Sequence, residues 1–393
     1  MKFEQLRKEN CEDMSNTKKP KMDLLFQVSV VTDDLDKLLA NWKKLFDFDV
    51  DSIKISSTKD AFESGNWQGH NYKGQPCVFF NKFARFDLGG IDFEIIEPLD
   101  KSSSGPFADF LRDNGGTGLH HIGVKIDDMD AMAAKMKELG VKELHHAEMG
   151  EVLSNGVKKN CVFYDLRPQL GLILECCSVV VGPRASEKAA GNPPECIPQK
   201  KNDLLFGFER DLTRPALDMI FQVNVTVWDS MKTLAMWKEI FDFDESTIVV
   251  KTTKKAFEFD DWDGLNYNEK KCGFFHQYIR FTIGNFDMEI IEPYDKNPGN
   301  PYSDFLIEHG PGLNHLGVKV GNMPALMQEM KEMGKPRFNY AEMGPVLADG
   351  TRKSCVFYDL REELGAILEC GSVVVGPLAS DPRAGNPEDF VTD

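Results

Sequence analysis

The segment VFYDLRPQLGLILECCSVVVGP, residues 162–183, occurs a second time as VFYDLREELGAILECGSVVVGP, residues 356–377. The segments before it are paired in the same way. GLHHIGVK at Gly118 returns as GLNHLGVK at Gly312, DFEIIEP at Asp92 as DMEIIEP at Asp287, and AFESGNW at Ala61 as AFEFDDW at Ala256. The offset is 195 residues in the earlier segments and 194 in the later ones, so one residue separates two otherwise continuous copies. Self-similarity of this length marks a duplicated domain. The expected organisation is a polar N-terminal arm over 1–22, a first domain over 23–183, a linker over 184–217, a second domain over 218–377 and a tail over 378–393.

Each copy is itself doubled. LLFQVSVVTDDLDKLLANWKKLFDF opens one half at Leu24, and GLHHIGVKIDDMDAMAAKMKELGV opens the other at Gly118. Apolar residues alternate at Phe26, Val28 and Val30, and again at Ile122, Val124 and Ile126, which predicts a strand. An Asp-rich turn then caps a helix over 34–45 or 128–139, and strands follow that end in DFEII or LILEC. The expected unit is βαβββ, present four times. The fold class is α+β, with two units per domain building a curved mixed sheet and helices on its outer face. Trp42, Trp237, Met129, Met132 and Met136 sit at helical spacing and read as packing residues.

Composition bounds the function. The chain has 393 residues, 41% hydrophobic and 28% charged, an ordinary globular balance. No run of about 18 apolar residues predicts a membrane span. The first residues lack the apolar core of a secretory signal. The net charge of −17 disfavours nucleic acid and anionic membranes as partners. Nine cysteines without a CxxC pair argue against a disulfide framework or a thiolate zinc site, and suggest a reduced, cytoplasmic setting. The pairs Cys77/Cys272, Cys161/Cys355 and Cys176/Cys370 read as buried thiols.

The chemistry is expected on the second face of the first strands. That face carries Gln27 and Ser29, then His121, Gly123 and Lys125, then Gln222, Asn224 and Thr226, then His315, Gly317 and Lys319. Small polar residues at period two predict a solvated concave surface. The last strand of each unit sets one carboxylate among apolar neighbours: Glu94, Glu175, Glu289 and Glu369. A buried acid needs a partner, and a divalent cation is one. Of eight histidines, only His121 and His315 coincide between the copies; His120 faces Asn314, His145 faces Asn339 and His276 faces Asn81. The recurrent set is therefore Gln27, Glu94, His121, Glu175 and Gln222, Glu289, His315, Glu369. One imidazole, one amide oxygen and two carboxylates suit Zn²⁺, Co²⁺, Ni²⁺, Mn²⁺ or Mg²⁺. Such an ion polarises a carbonyl, and a carboxylate moves the acidified proton. Glu97 and Glu292 read as strand-end residues. Tyr72, Tyr267, Arg85 and Arg280 read as structural before substrate-binding, and Tyr164 and Tyr358 as supports of the last strand.

With these residues in place, both copies resemble the vicinal oxygen chelate superfamily, which includes glyoxalase I, methylmalonyl-CoA epimerase, extradiol dioxygenases and bleomycin-resistance proteins. The resemblance covers nearly all of both repeats and implies metal ligands on the first and last strands of paired βαβββ modules, at the positions above. The Gln, Glu, His, Glu set matches eukaryotic glyoxalase I. The position of that family's glutathione-binding Arg holds Val31 and Thr226, and that of its Asn holds Pro98 and Pro293. EIIEPLDKSSSGPFADFL followed by GLHHIGVKIDDMD is similar to the joining segment of methylmalonyl-CoA epimerase, although Gln27 and Gln222 stand where that family has His. The resemblance implies a metal-dependent enzyme that transfers a proton next to a carbonyl, an epimerase or isomerase acting on a small carbonyl or acyl thioester. Glu175 or Glu369 is the expected base, with Glu94 or Glu289 opposite. The alternatives are a glyoxalase I-like lyase, then a ring-cleaving or 4-hydroxyphenylpyruvate-type dioxygenase, then a non-catalytic ligand-binding protein. A small-molecule partner and a monomer or homodimer are expected. Each site could be formed within one domain or across the two.

Overall fold

The computed structural model describes residues 18–65, 70–197, 210–253, 265–267, 270–272, 275–337, 339–347, 350 and 352–390. Two ten-stranded sheets account for most of them. The first is built from β1 (Met22–Val31), β2 (Lys54–Ser57), β3 (His70–Tyr72), β4 (Gln75–Cys77), β5 (Asn81–Leu88), β6 (Ile91–Pro98), β7 (Gly118–Ile126), β8 (Glu143–Val152), β9 (Lys158–Leu166) and β10 (Leu172–Cys177). Their order across the sheet is β2-β5-β6-β1-β7-β10-β9-β8-β3-β4. Two βαβββ modules thus meet where β1 pairs antiparallel with β7. The hairpin β3–β4 leaves the first module and extends the edge of the second by pairing with β8. The second sheet repeats this plan with β11 (Ala216–Thr226), β12 (Val249–Thr252), β13 (Leu265–Tyr267), β14 (Lys270–Cys272), β15 (His276–Ile283), β16 (Phe286–Pro293), β17 (Gly312–Gly321), β18 (Asn339–Val346), β19 (Arg352–Leu360) and β20 (Ala366–Gly371). The expected α+β class and four βαβββ modules are what the chain adopts.

The helices start where the aspartates cap them. Asp34 accepts from Lys37 N ahead of helix Leu35–Leu45, and Asp128 accepts from Ala131 N ahead of helix Met129–Glu138. Each helix turns its apolar stripe onto one sheet face, with Trp42 and Trp237 fully buried. Glu97 and Glu292, expected only to end their strands, also cap: Glu97 Oε2 accepts from Leu35 N at 3.2 Å, and Glu292 Oε2 accepts from Ser230 N at 2.9 Å.

Two expectations about β1 are corrected. Phe26 does not share a face with Val28 and Val30. A β-bulge between Leu25 and Gln27 shifts the alternation, so Leu25, Val28 and Val30 pack under the helices while Leu24, Phe26 and Val31 join Phe79, Phe107 and Phe163 on the concave side. That side is also not a solvated surface over the strand: Gln27 and Ser29 are 3% and 0% exposed.

The bulge leaves a backbone N–H outside the ladder, and the other domain satisfies it. Leu25 N donates to Gly284 O at 2.8 Å, and Ile220 N donates to Gly89 O at 2.9 Å. These glycines turn β15 into β16 and β5 into β6 at φ +59° and +56°, and a Cβ would sit 2.7 and 2.5 Å from the same nitrogens. Glycine is required at both turns by conformation and by space. The two domains therefore dock as a reciprocal pair, and the helix-side residues of both sheets belong to one continuous hydrophobic core.

Candidate metal and catalytic centre

The strands that carry the expected ligands are neighbours. In the first sheet β6, β1, β7 and β10 lie side by side, bringing Glu94, Gln27, His121 and Glu175 together; in the second, β16, β11, β17 and β20 do the same for Glu289, Gln222, His315 and Glu369. Each set assembles within one sheet, which decides between the two arrangements the sequence left open. Ser29 is level with both Glu94 and His121, and Gly123 is level with both Gln27 and Glu175. The residue at 123 is small for a reason: a Cβ there would lie 2.8 Å from Gln27 Oε1, and at Gly317 3.0 Å from Gln222 Oε1.

In the first set, His121 Nε2 lies 3.3 Å from Glu175 Oε2 and 3.7 Å from Glu94 Oε2. In the second, His315 Nε2 lies 3.2 Å from Glu369 Oε2 and 3.6 Å from Glu289 Oε2. Both imidazoles are fully buried, and neither Nε2 makes a well-aligned hydrogen bond. Gln27 Oε1 is likewise buried without a partner. One ligand atom from each of Glu289, His315 and Glu369 falls within 4.8 Å of the others. Donor atoms that converge without bonding to each other fit a divalent ion, whose ligands at ~2.1 Å stand about 3 Å apart.

The amide orientation is imposed from behind. Gln27 Nε2 donates to Asp92 Oδ2 at 2.6 Å, and Arg85 binds the same oxygen through Nε and Nη2 at 2.9 and 2.7 Å. Gln222, Asp287 and Arg280 repeat the chain at 2.6 and 2.9 Å. With the amide nitrogen held by the aspartate, the carbonyl oxygen points to the site. Asp92 and Asp287 were missed in the sequence, although DFE and DME repeat them two residues before each glutamate. Arg85 and Arg280 are accounted for by these ion pairs.

The histidines are held similarly. His121 Nδ1 is 2.7 Å from His120 Nδ1, and His315 Nδ1 is 2.8 Å from Asn314 Oδ1. A ring offered to a metal through Nε2 would carry its proton on Nδ1, and His120 and Asn314 would then both accept it. Their different identities concealed the shared role.

Burial, and then the charge of Glu175, push Glu94 up to about 8. Burial also acts to raise Glu175, but the close approach of the His121 ring outweighs it and holds Glu175 below the usual carboxylate range; His315 does the same for Glu369. His315 is driven up to about 9, burial being overcome by Glu289 and Glu369. Burial raises the Cys161 and Cys355 thiols beside these acids, so they stay neutral.

The second concave face opens into a cavity of about 120 Å³ lined by Gln222, His276, Tyr278, Tyr302, Lys353 and Phe357, with Glu289 and Glu369 at its floor. In the first, His70 stacks on Phe79 with centroids 4.2 Å apart and His145 meets His70 at 4.1 Å, while Phe107 and Phe163 surround His121. Tyr72 and Tyr267 hydrogen-bond Asp109 and Asp304, Tyr267 at 2.8 Å, and so tie the inserted hairpins down. Tyr164 and Tyr358 are buried on the helix side. The second domain's counterpart of His145, Asn339, has its side chain outside the described residues.

This ligand geometry coincides with a family match over residues 26–154 and 221–350, to the Glyoxalase/Bleomycin resistance protein/Dioxygenase superfamily. The chain belongs to that superfamily. Its members are mostly enzymes acting on small molecules, typically with a divalent metal. A curated relative is the mitochondrial methylmalonyl-CoA epimerase of Homo sapiens, 27% identical over 120 residues, which are 30% of this chain and 56% of that protein. The chain thus spans about half the length of the curated relative it matches. Among solved structures, a 4-hydroxymandelate synthase variant from Streptomyces coelicolor superposes with a TM-score of 0.51 at 12% identity, covering 93% of this chain and 97% of that one. A Mn(II)-bound glyoxalase from Novosphingobium aromaticivorans reaches a TM-score of 0.40 at 13% identity, over 90% and 82%. No helix among the described residues is long and apolar enough to cross a membrane.

Proposed function

We propose that the protein is a divalent-metal-dependent enzyme that moves a proton on the carbon next to a carbonyl, of epimerase or isomerase type, on a small carbonyl or acyl thioester. The observation that carries this reading is the placement of two buried carboxylates on strands flanking one imidazole and one amide oxygen at the floor of a cavity. Gln222, Glu289, His315 and Glu369 would hold the ion, as would Gln27, Glu94, His121 and Glu175 in the first domain; bound there, it would polarise a substrate carbonyl oxygen. Glu369, kept ionised beside His315, takes the proton. Glu289 lies across the imidazole and can return one to the other face. Tyr302, Phe357 and Lys353 line the same cavity.

Both ligand sets carry this reading, and the described cavity lies over the second. The deciding assay is exchange of the α-proton in D₂O, followed by NMR, for branched acyl-CoA thioesters against turnover of methylglyoxal–glutathione hemithioacetal. Exchange without net conversion of the hemithioacetal supports epimerisation. Hemithioacetal turnover alone would replace it with the lyase reading, and neither activity in the metal-loaded protein would leave a binding protein.

A further inference from the structure

Strands β9 and β10 set two thiols face to face. Cys161 and Cys177 are direct partners in their antiparallel register. In the adjoining pair Ser178 N donates to Asn160 O at 3.0 Å, so Cys161 and Cys177 form a pair that exchanges no backbone hydrogen bonds. The Cα atoms of such a pair stand about 4.5 Å apart and its side chains leave the sheet on one face. That separation lies inside the range of about 4.4–6.8 Å that a disulfide spans. Cys177 ends β10, so any adjustment falls at a strand terminus. Both thiols are free and lie on the concave side with Phe163, at 8% and 7% exposure. Cys176 belongs to the helix-side core instead. Glu175, two residues from Cys177, shares the concave face. The second domain breaks the pair, because Cys355 faces Gly371. There Cys355, Gly371 and Glu369 all line the cavity, and Cys161, Cys177 and Glu175 hold the corresponding places in the first domain.

We infer that Cys161 and Cys177 are a redox-active pair that closes into a cross-strand disulfide under peroxide, so that the first ligand set senses oxidation and the second does not. The step balances with hydrogen peroxide as the two-electron oxidant. One sulfur attacks the peroxide O–O bond, giving a sulfenic acid and one water. The other sulfur attacks the sulfenic sulfur, the S–S bond forms and the second oxygen leaves as water; the two thiol protons end in these waters. A dithiol reductant reverses the bond. Burial, and then the charge of Glu175, raise both thiols. Since the thiolate is the attacking form, the pair answers to sustained oxidant and reacts more slowly than an exposed thiol. The effect on Glu175 as a ligand rests on the metal reading above; the disulfide itself does not.

The test exposes the full chain, reduced and stripped of metal, to hydrogen peroxide. Remaining thiols are alkylated, and chymotrypsin, cutting after Phe163 and Tyr164, separates Cys161 from Cys176 and Cys177. Mass spectrometry of wild type should find the Cys161 fragment joined to the Cys177 fragment, lighter by two hydrogens than the two reduced fragments, and split by dithiothreitol. Cys176→Ala should keep this bond, and Cys161→Ala and Cys177→Ala should lose it. Gly371→Cys should gain the matching bond to Cys355; a Cβ there would meet Val373 O at 3.1 Å and Phe221 Cζ at 3.9 Å, which a small shift accommodates. The effect on the ligands is read in His315→Ala protein, which keeps only the first set: oxidation should weaken Co²⁺ uptake about tenfold, reversibly, and not when Cys177→Ala is added. A bond from Cys161 to any other cysteine, or oxidation of both residues to separate sulfinic acids, overturns the pair. The expected bond with the same Co²⁺ uptake overturns the sensitivity alone. Failure of the reduced protein to load Co²⁺ overturns the metal reading and with it the sensitivity, not the disulfide.

Discussion

Asp92 and Asp287 show how a ligand set is made by residues that are not ligands. Each takes the amide nitrogen of a glutamine and is itself bound by an arginine, so the amide oxygen has one place to point. Asp287→Asn should lower metal affinity at the second site by about ten- to a hundredfold, measured by competition with a chromophoric chelator, and should also lower the melting temperature because Arg280 loses its buried carboxylate. The acids and imidazole also make stability depend on pH. Glu94 and His315 are both raised in the folded state, to about 8 and about 9 from ordinary values of 4.5 and 6.5. The folded chain therefore binds more protons than the unfolded one across that range, and this stabilisation is lost as pH rises through the folded values. Metal-stripped protein should melt progressively lower from pH 6 to pH 9 in differential scanning calorimetry. Saturating divalent ion should remove the slope, because metal binding favours the deprotonated ligands. A melting temperature that rises with pH in the stripped protein would contradict the assignment.

At the level of elements, the bulges in β1 and β11 join the parts of the chain that define its architecture. They turn an aromatic side chain toward the concave side, and they free the N–H that the partner domain's glycine turn accepts. Gly284→Ala should destabilise the protein by about 2–4 kcal/mol, from the strained φ and the clash with the Leu25 backbone. Chemical denaturation would measure it, and a change under about 0.5 kcal/mol would show that the turn relaxes freely. Much of this level was legible beforehand. The Asp-capped helices and the four βαβββ units follow from period and turn chemistry. The bulge was not, because LLFQVSVV alternates equally well in either register and only the partner strand reveals the extra residue.

Across the whole molecule, duplication has produced two sheets with one core. Because the helix-side residues of both sheets form a single cluster, unfolding should be one cooperative transition in calorimetry, with no separate melting of either half. The metal inventory is argued at the same scale. Wild type should bind about two equivalents of Co²⁺ or Mn²⁺ by elemental analysis, and His121→Ala or His315→Ala about one each, on the ligand count of the two sites. Turnover should fall in both His315→Ala and His121→Ala, and a loss of at least a hundredfold confined to His315→Ala would make the second domain the working catalyst. Equal losses in the two variants would make the domains equivalent catalysts.

The sequence by itself determined the duplication, the module, the superfamily and the eight candidate ligands, because strand period, turn residues and repeat register are local properties written twice. It also paired His121 with His315 by coincidence of position. That same criterion set aside His120, whose role is filled by Asn314 in the other copy, since an imidazole nitrogen and an amide oxygen accept the same hydrogen bond. Only the tertiary structure decided that each ligand set closes within one sheet, because β1–β7 and β11–β17 pairing joins modules that lie about 95 residues apart. It alone placed Asp92 behind Gln27 and set rings beside His121. Those features depend on which side chains share a volume once the sheets have curved and docked.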